Sequence, residues 1–207
     1  MDGSFVFGHR YSNDKATCGG TLISSRHVLT AAHCVHRHSK VCERYSVGVG
    51  MHKDNVTDGT RLKIKHISVH PNWTRIGCND NFYVSNFDFA ILHLASPVDL
   101  NNKVIPACLP DESLGGDFLA GKDVTVSGWG THSEGVLKKA SYPARTHEEC
   151  KKYNNEDGCD VVTANMLCAG NLHNSTENHH NGDSGGKLLK QNKNDRIKFF
   201  TIIHETT

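Results

Sequence analysis

The apolar residues of this chain arrive in short runs, and that spacing limits the folds open to it. Apolar or alternating segments of strand length, bounded by Gly, Pro, Asn or Asp, follow one another along the sequence, as expected of half-buried strands joined by turns. The runs predict strands over 20–23, 27–30, 45–49, 62–69, 89–94, 123–129 and 198–203. Helical periodicity is scarce. The best helix runs over 146–153, with Thr146 as its cap and Glu149 three residues on, the signature of a capping box. No internal repeat, heptad seam or low-complexity tract competes with this reading. Many short strands with few helices favour an all-β sandwich or barrels. Pro106 and Pro110 flank a segment suited to joining two lobes.

Composition narrows the function classes. A hydrophobic fraction of 37% with 22% charged residues in 207 residues is ordinary globular usage, with enough apolar material for a core. Lys plus Arg number 23 against 22 Asp plus Glu, a formal charge of +1, so there is no basic field of the kind that draws proteins onto phosphate backbones. Nucleic acid is excluded as a partner on that ground. No run approaches the roughly 18 apolar residues of a membrane span, so no membrane association is expected. The eight cysteines exceed what a reduced cytosolic protein usually carries, and no Cys-x-x-Cys pair points to zinc, which leaves disulfides. Sequons at Asn55, Asn72 and Asn174 are glycosylation candidates that point the same way, toward an extracellular, secreted protein. Met1-Asp2-Gly3 begins no signal peptide, so the N-terminus is expected to be cropped.

The chemistry sits in three separated places. Thr30-Ala31-Ala32-His33-Cys34 follows an apolar strand, Asp88 stands against the apolar run Phe89-Ala90-Ile91-Leu92, and Gly182-Asp183-Ser184-Gly185-Gly186 surrounds a serine with small residues. Each alone reads as an ordinary loop or strand edge. Jointly they supply what nucleophilic catalysis needs, because a serine hydroxyl requires a base and the base requires an acid to hold its tautomer. The order His, Asp, Ser is one of the known triad orders.

With these segments, together with Cys18-Gly19-Gly20-Thr21-Leu22-Ile23, Gly128-Trp129-Gly130 and Cys168-Ala169-Gly170, the chain resembles the chymotrypsin/trypsin family of serine proteases. The match is collinear and spans nearly the whole sequence. The resemblance implies an all-β fold of two antiparallel β-barrels with the site between them, as one protease domain over 1–207. The first barrel would take about 1–110 and the second about 111–207, the latter incomplete at its C-terminus. It further implies Ser184 as nucleophile, His33 as general base and then acid, and Asp88 as the buried orienter. The N–H groups of Gly182 and Ser184 would form the oxyanion hole, and the reaction would be peptide-bond hydrolysis through an acyl-enzyme.

The departures from the family pattern are equally specific. No Ile-Val-Gly-Gly-like segment is present to supply the buried amine that pairs with the acid before the nucleophile, here Asp183. An unpaired buried carboxylate costs several kcal/mol, so a zymogen-like site with little peptide hydrolysis is expected of the chain as it stands. The Trp-Gly pocket wall that should follow 200–204 is missing, Lys187 replaces a proline, and the pocket floor is Asn178 where trypsins carry Asp. Strong selectivity for Arg or Lys is therefore not expected unless a neighbour such as Glu177 reaches in. The alternative reading is a catalytically impaired homologue acting as a binding or regulatory module.

By resemblance, Cys18 pairs with Cys34 and Cys150 with Cys168. The remaining cysteines allow more than one connectivity, and Cys42 with Cys78 is favoured because both fall in first-lobe loops near the cleft. Cys108 resembles a cysteine that tethers a propeptide in some relatives, which would leave it free here, and no partner is assigned to Cys159. His33, His36 and His38 beside Cys34, and His179 and His180 beside the nucleophile, repeat no ligand spacing. The loop over 51–61 lacks carboxylates where a calcium site needs them. No metal and no cofactor are expected, and the partners expected of a monomer are protein or peptide substrates and proteinaceous inhibitors.

Overall fold

The computed structural model describes residues 5–10, 16–36, 42–53, 59–79, 82–110, 117–130, 136–154, 162–170, 184–191 and 197–202, with only the backbone described at some strands, including those at either end. The first lobe holds β1 (Phe5–Arg10), β2 (Ala16–Ser24), β3 (His27–Thr30), the single turn α1 (Ala32–Val35), β4 (Tyr45–Val49), β5 (Thr60–Val69), the hairpin β6 (Thr74–Asn79) and β7 (Phe82–Asn86), and β8 (Ala90–Leu94). The second holds β9 (Asp123–Gly128), β10 (Lys138–Arg145), α2 (His147–Asn154), β11 (Cys168–Ala169), β12 (Lys187–Gln191) and β13 (Ile197–Ile202). The chain is all-β with sparse helix, and its strands pair antiparallel.

β1, β2, β3, β8, β5 and β4 close into a barrel, with β4 pairing back onto β1. Alternation along β3 and β8 turns one face of the ring inward. On β8, Ala90, Leu92 and Leu94 are buried while Ile91 and His93 face outward and are half-buried. Leu22, Val28 and Val47 are fully buried inside, packed with Leu62, Ile64, Ile67 and Leu92, and each such side chain contributes about 1.5–3 kcal/mol on burial. Among the described residues, the closed ring leaves none of its six strands as an edge.

The second lobe is a five-stranded sheet in the order β11, β10, β9, β12, β13. Its smaller core gathers Leu119, Val124, Val126, Tyr142, Ala144 and Leu188. α2 begins at a reciprocal cap. The Thr146 N–H donates to the Glu149 carboxylate at 2.8 Å and the Glu149 N–H donates to Thr146 Oγ1 at 3.1 Å, the arrangement a capping box requires. The hydrogen bond from the Thr146 backbone, followed by that from its hydroxyl, holds the Glu149 carboxyl below its usual pKa.

Several contacts join the lobes. Trp129 Nε1 and the Leu137 N–H both donate to the His52 carbonyl, at 3.1 and 3.0 Å. The Gly19 N–H donates to the Ser184 carbonyl at 2.7 Å, and Thr163 Oγ1 donates to Asn86 Oδ1 at 3.1 Å. The last two contacts lie beside the residues of catalytic interest.

Candidate active site

β3 ends at Thr30, and the chain turns at once into α1, which carries His33. N–H groups in a first helical turn have no acceptor within the helix. Asp88 supplies one: the His33 N–H donates to Asp88 Oδ1 at 2.8 Å, while His33 Nδ1 is hydrogen-bonded to Asp88 Oδ2 at 2.6 Å. One carboxylate thereby fixes both the backbone position and the ring orientation of the histidine. The Asp88 side chain is 11% exposed and that of His33 is 26% exposed, so Asp88 lies deeper than His33.

A strained turn presents Asp88. Phe87 adopts φ 50, the left-handed region that bulky residues rarely occupy. The Phe89 N–H then donates back to the Phe87 carbonyl at 2.7 Å, with Asp88 at the apex. Its surroundings hold the turn in place. Asn86 Oδ1 accepts the Phe87 N–H at 3.0 Å and also hydrogen bonds from Thr163 Oγ1 and Asn165 Nδ2, and the Phe87 ring stacks on His70 at 5.0 Å. Trp73 Nε1 donates to Asp88 Oδ1 at 3.1 Å, and the Trp73 ring lies 4.3 Å from that of His36. Sequence reasoning missed Trp73 and Asn86. Asn86 opens the segment singled out around Asp88 but was given no role, whereas Trp73 is distant in sequence and left no local signal.

Cys18 and Cys34 form a disulfide that ties β2 to α1. The Cys34 sulfur lies 3.6 Å from His33 Nε2 and 3.9 Å from the Ser184 carbonyl oxygen, so it sits between the histidine and the serine segment. Ser184 is buried. The next residue, Gly185, has φ +77, and a Cβ there would lie 2.5 Å from both the Gly19 carbonyl oxygen and Thr30 Oγ1. Only glycine lets the serine turn seat against the first lobe.

Cys150 and Cys168 are also joined as a disulfide, anchoring α2 to β11. Cys108 is exposed and has no disulfide among the described residues. Cys42 is half-buried, but the proposed pairing with Cys78 involves a side chain outside the described residues. Gly182, Asp183, Asn178, Asn55, Asn174 and Cys159 also lie outside them. Asn72 is exposed in the turn between β5 and β6. Cys18, His33 and Cys34 bring ligand-type atoms within 4.8 Å of one another, but both sulfurs belong to the disulfide and are not thiolate ligands.

The family model described as Trypsin matches residues 2–204. The chain belongs to the trypsin family. Among its relatives, the mouse (Mus musculus) Vitamin K-dependent protein C is 35% identical over 189 residues, covering 86% of this chain and 38% of that protein. The rat (Rattus norvegicus) protein of the same name is 35% identical over 191 residues and the rabbit (Oryctolagus cuniculus) one 33% over 190, with the same shares covered. The chain thus spans 38% of the length of these relatives. Membership of this trypsin-like serine protease family accounts for the closed barrel, the second sheet and the sparse helix together.

Proposed function

We propose that the chain is a serine endopeptidase domain that cleaves peptide bonds through His33, Asp88 and Ser184. The observation that supports this most is the double hold of Asp88 on His33, through the backbone N–H and through Nδ1. With Nδ1–H donating to the carboxylate, Nε2 carries the lone pair and serves as the base. Ser184 Oγ loses its proton to Nε2 as it attacks the scissile carbonyl, and the imidazolium then returns that proton to the leaving amine. The C–N bond breaks, an acyl-enzyme forms, and water repeats the cycle to release the acid. The N–H groups of Gly182 and Ser184 receive the developing oxyanion, where loss of one donor costs about 2.7–4 kcal/mol.

The two lobes act as halves of one domain, about 1–110 and about 111–207, with base and acid from the first and nucleophile from the second. The disulfides and sequons fit an extracellular setting, with protein or peptide substrates and proteinaceous inhibitors as partners and a monomer as the working unit. Among the described residues no helix is long and apolar enough to cross a membrane. Asn178 at the pocket floor supplies no carboxylate for a basic side chain, so cleavage is not confined to Arg or Lys. A peptide library digested by the chain and by its Ser184→Ala variant tests the reading. Slow, Ser184-dependent cleavage without strict basic selectivity is expected, in keeping with a zymogen-like site; cleavage unchanged in the variant would remove Ser184 from the mechanism, and cleavage only after Arg or Lys would overturn the assignment of Asn178.

A further inference from the structure

The turn that presents Asp88 is tied to the second lobe through one side chain. Asn86 closes β7 and stands opposite Thr74, the first residue of β6, so the mouth of that hairpin carries Trp73 on one strand and Asn86 on the other. Trp73 reaches Asp88 Oδ1 directly, at 3.1 Å. Asn86 Oδ1 instead accepts three hydrogen bonds, from the Phe87 N–H at 3.0 Å, Thr163 Oγ1 at 3.1 Å and Asn165 Nδ2 at 3.3 Å. A backbone N–H can only donate, so the amide atom that faces Phe87 is the oxygen. Two of the three donors belong to the second lobe. They sit on a tight turn of their own, where the Asn165 N–H donates to Thr163 Oγ1 at 3.4 Å and the Met166 N–H to the Thr163 carbonyl at 3.1 Å. This turn runs into Leu167, packed on the second core, and Cys168, bonded to Cys150 of α2.

From this arrangement we infer that Asn86 is a positioning residue for peptide hydrolysis, through which the second lobe sets the aim of the Asp88 carboxylate at His33. The role rests on the mechanism proposed above for His33, Asp88 and Ser184. Phe87 stands between Asn86 and Asp88 at φ 50, a conformation that a bulky residue keeps only where its surroundings over-determine it. Relaxation of Phe87 toward negative φ would turn the peptide planes on either side of it, and with them the direction of the Asp88 side chain. Asp88 has little latitude for such a turn, because its oxygens serve the His33 N–H at 2.8 Å and Nδ1 at 2.6 Å. The Asn86 oxygen supplies the constraint by holding the Phe87 N–H while itself being held from the second lobe. Without it, three donors lose their acceptor and the turn loses its brace across the lobe boundary. Thr163 is half-buried and Asn165 exposed, so the hydroxyl contributes more to the brace than the amide.

Single-turnover peptide hydrolysis, together with the NMR resonance of the His33 Nδ1 proton, tests the role in the full chain. Asn86→Ala is expected to lower kcat about tenfold or more with KM little changed, since misplacing a catalytic group costs rate rather than affinity. Thr163→Val keeps the shape of the side chain and removes only the hydroxyl in the other lobe, so it should cost about threefold or more, the loss of one neutral hydrogen bond. Asn165→Ala should cost less. Asn86→Asp keeps an acceptor oxygen at the same reach and should retain most of the rate. The Nδ1 proton resonance should move in Asn86→Ala and Thr163→Val and stay in place in Asn86→Asp. An unmoved resonance and unchanged kcat in Asn86→Ala and Thr163→Val, or a loss in Asn86→Asp as large as that in Asn86→Ala, would overturn the role. A parent chain that hydrolyses no peptide would instead remove the peptidase reading, and the resonance alone would then decide whether Asn86 aims Asp88 at His33.

Discussion

The two lobes hold their parts of the site by different means. In the first lobe His33 and Asp88 are held by the lobe's own hydrogen bonds: Asp88 grips His33 twice, and Trp73 grips Asp88. The barrel beneath them closes on itself. In the second lobe the serine segment draws its seating from across the lobe boundary, through the Ser184 carbonyl on the Gly19 N–H and through Gly185 pressed against Gly19, Thr30 and Ala31. The lesson is that the hold on His33 comes from within the first lobe, with Thr163 and Asn165 of the second lobe bracing only the Asn86 turn beside Asp88, whereas the serine segment is seated directly on the other lobe. Core substitutions within the barrel should therefore lower stability, and substitutions at the lobe contact should lower catalysis.

The largest effect tests the histidine half alone. Asp88→Asn reverses the tautomer of His33 and is expected to lower kcat about 10⁴-fold, a magnitude taken from this family's own triad. Single-turnover kinetics check it, and a loss below tenfold would remove Asp88 from its role. Gly185→Ala tests the serine half. The added Cβ meets the Gly19 oxygen and Thr30 Oγ1 at 2.5 Å with φ at +77, which moves Ser184 and its N–H, so kcat should fall about 10²-fold or more, comparable to loss of an oxyanion donor. A Gly185→Ala enzyme with unchanged kcat would break the contrast between the lobes. Replacing Cys18 and Cys34 together by Ala opens a loop with a sequence separation of 16 and should cost about 3 kcal/mol of stability by denaturant unfolding.

Smaller changes sharpen the picture. Trp73→Phe keeps a ring but removes a hydrogen bond to a carboxylate, which contributes about 1.5–3 kcal/mol, so kcat should fall at least about tenfold with KM little changed. The smallest effect lies at α2. Because the Glu149 pKa is lowered on folding, its cap stabilises the protein above the unfolded carboxylate pKa and is lost as pH falls through the folded one. Thermal melts in acid should show Glu149→Gln losing less stability than the parent, with little change in kcat at neutral pH.

How much of this was legible depended on how locally each feature is encoded. The strands β3 and β4 were read to the residue, because HVLT and YSVGV are compact apolar runs between turn signals. Capping chemistry at Thr146 located α2 within a residue at each end. β10 escaped notice: KKASYPAR carries two lysines and a proline, and its strand state is fixed by pairing with β9 and by burial of Tyr142 and Ala144. β1, β6, β7, β11 and β12 were missed as well; β11 is only two residues long, too short to show a period. At the site, the pairing of His33 with Asp88 was legible because each sits in a distinctive local segment, and the proposal of Ser184 as nucleophile rests on the same kind of segment. Trp73 was not, since the fold and not sequence neighbourhood brings it to Asp88.

The central claim is that Ser184 is the nucleophile and that His33 activates it. A fluorophosphonate probe incubated with the chain, followed by peptide mapping, tests it most directly because the probe forms a bond only with an activated serine. The account predicts slow adduct formation on Ser184 and on no other serine, as a zymogen-like site allows, abolished in His33→Ala and further slowed in Asp88→Asn. Adduct on a different serine, equal labelling of Ser184 without His33, or no adduct at all would contradict it, the last result favouring a scaffold that binds without cleaving.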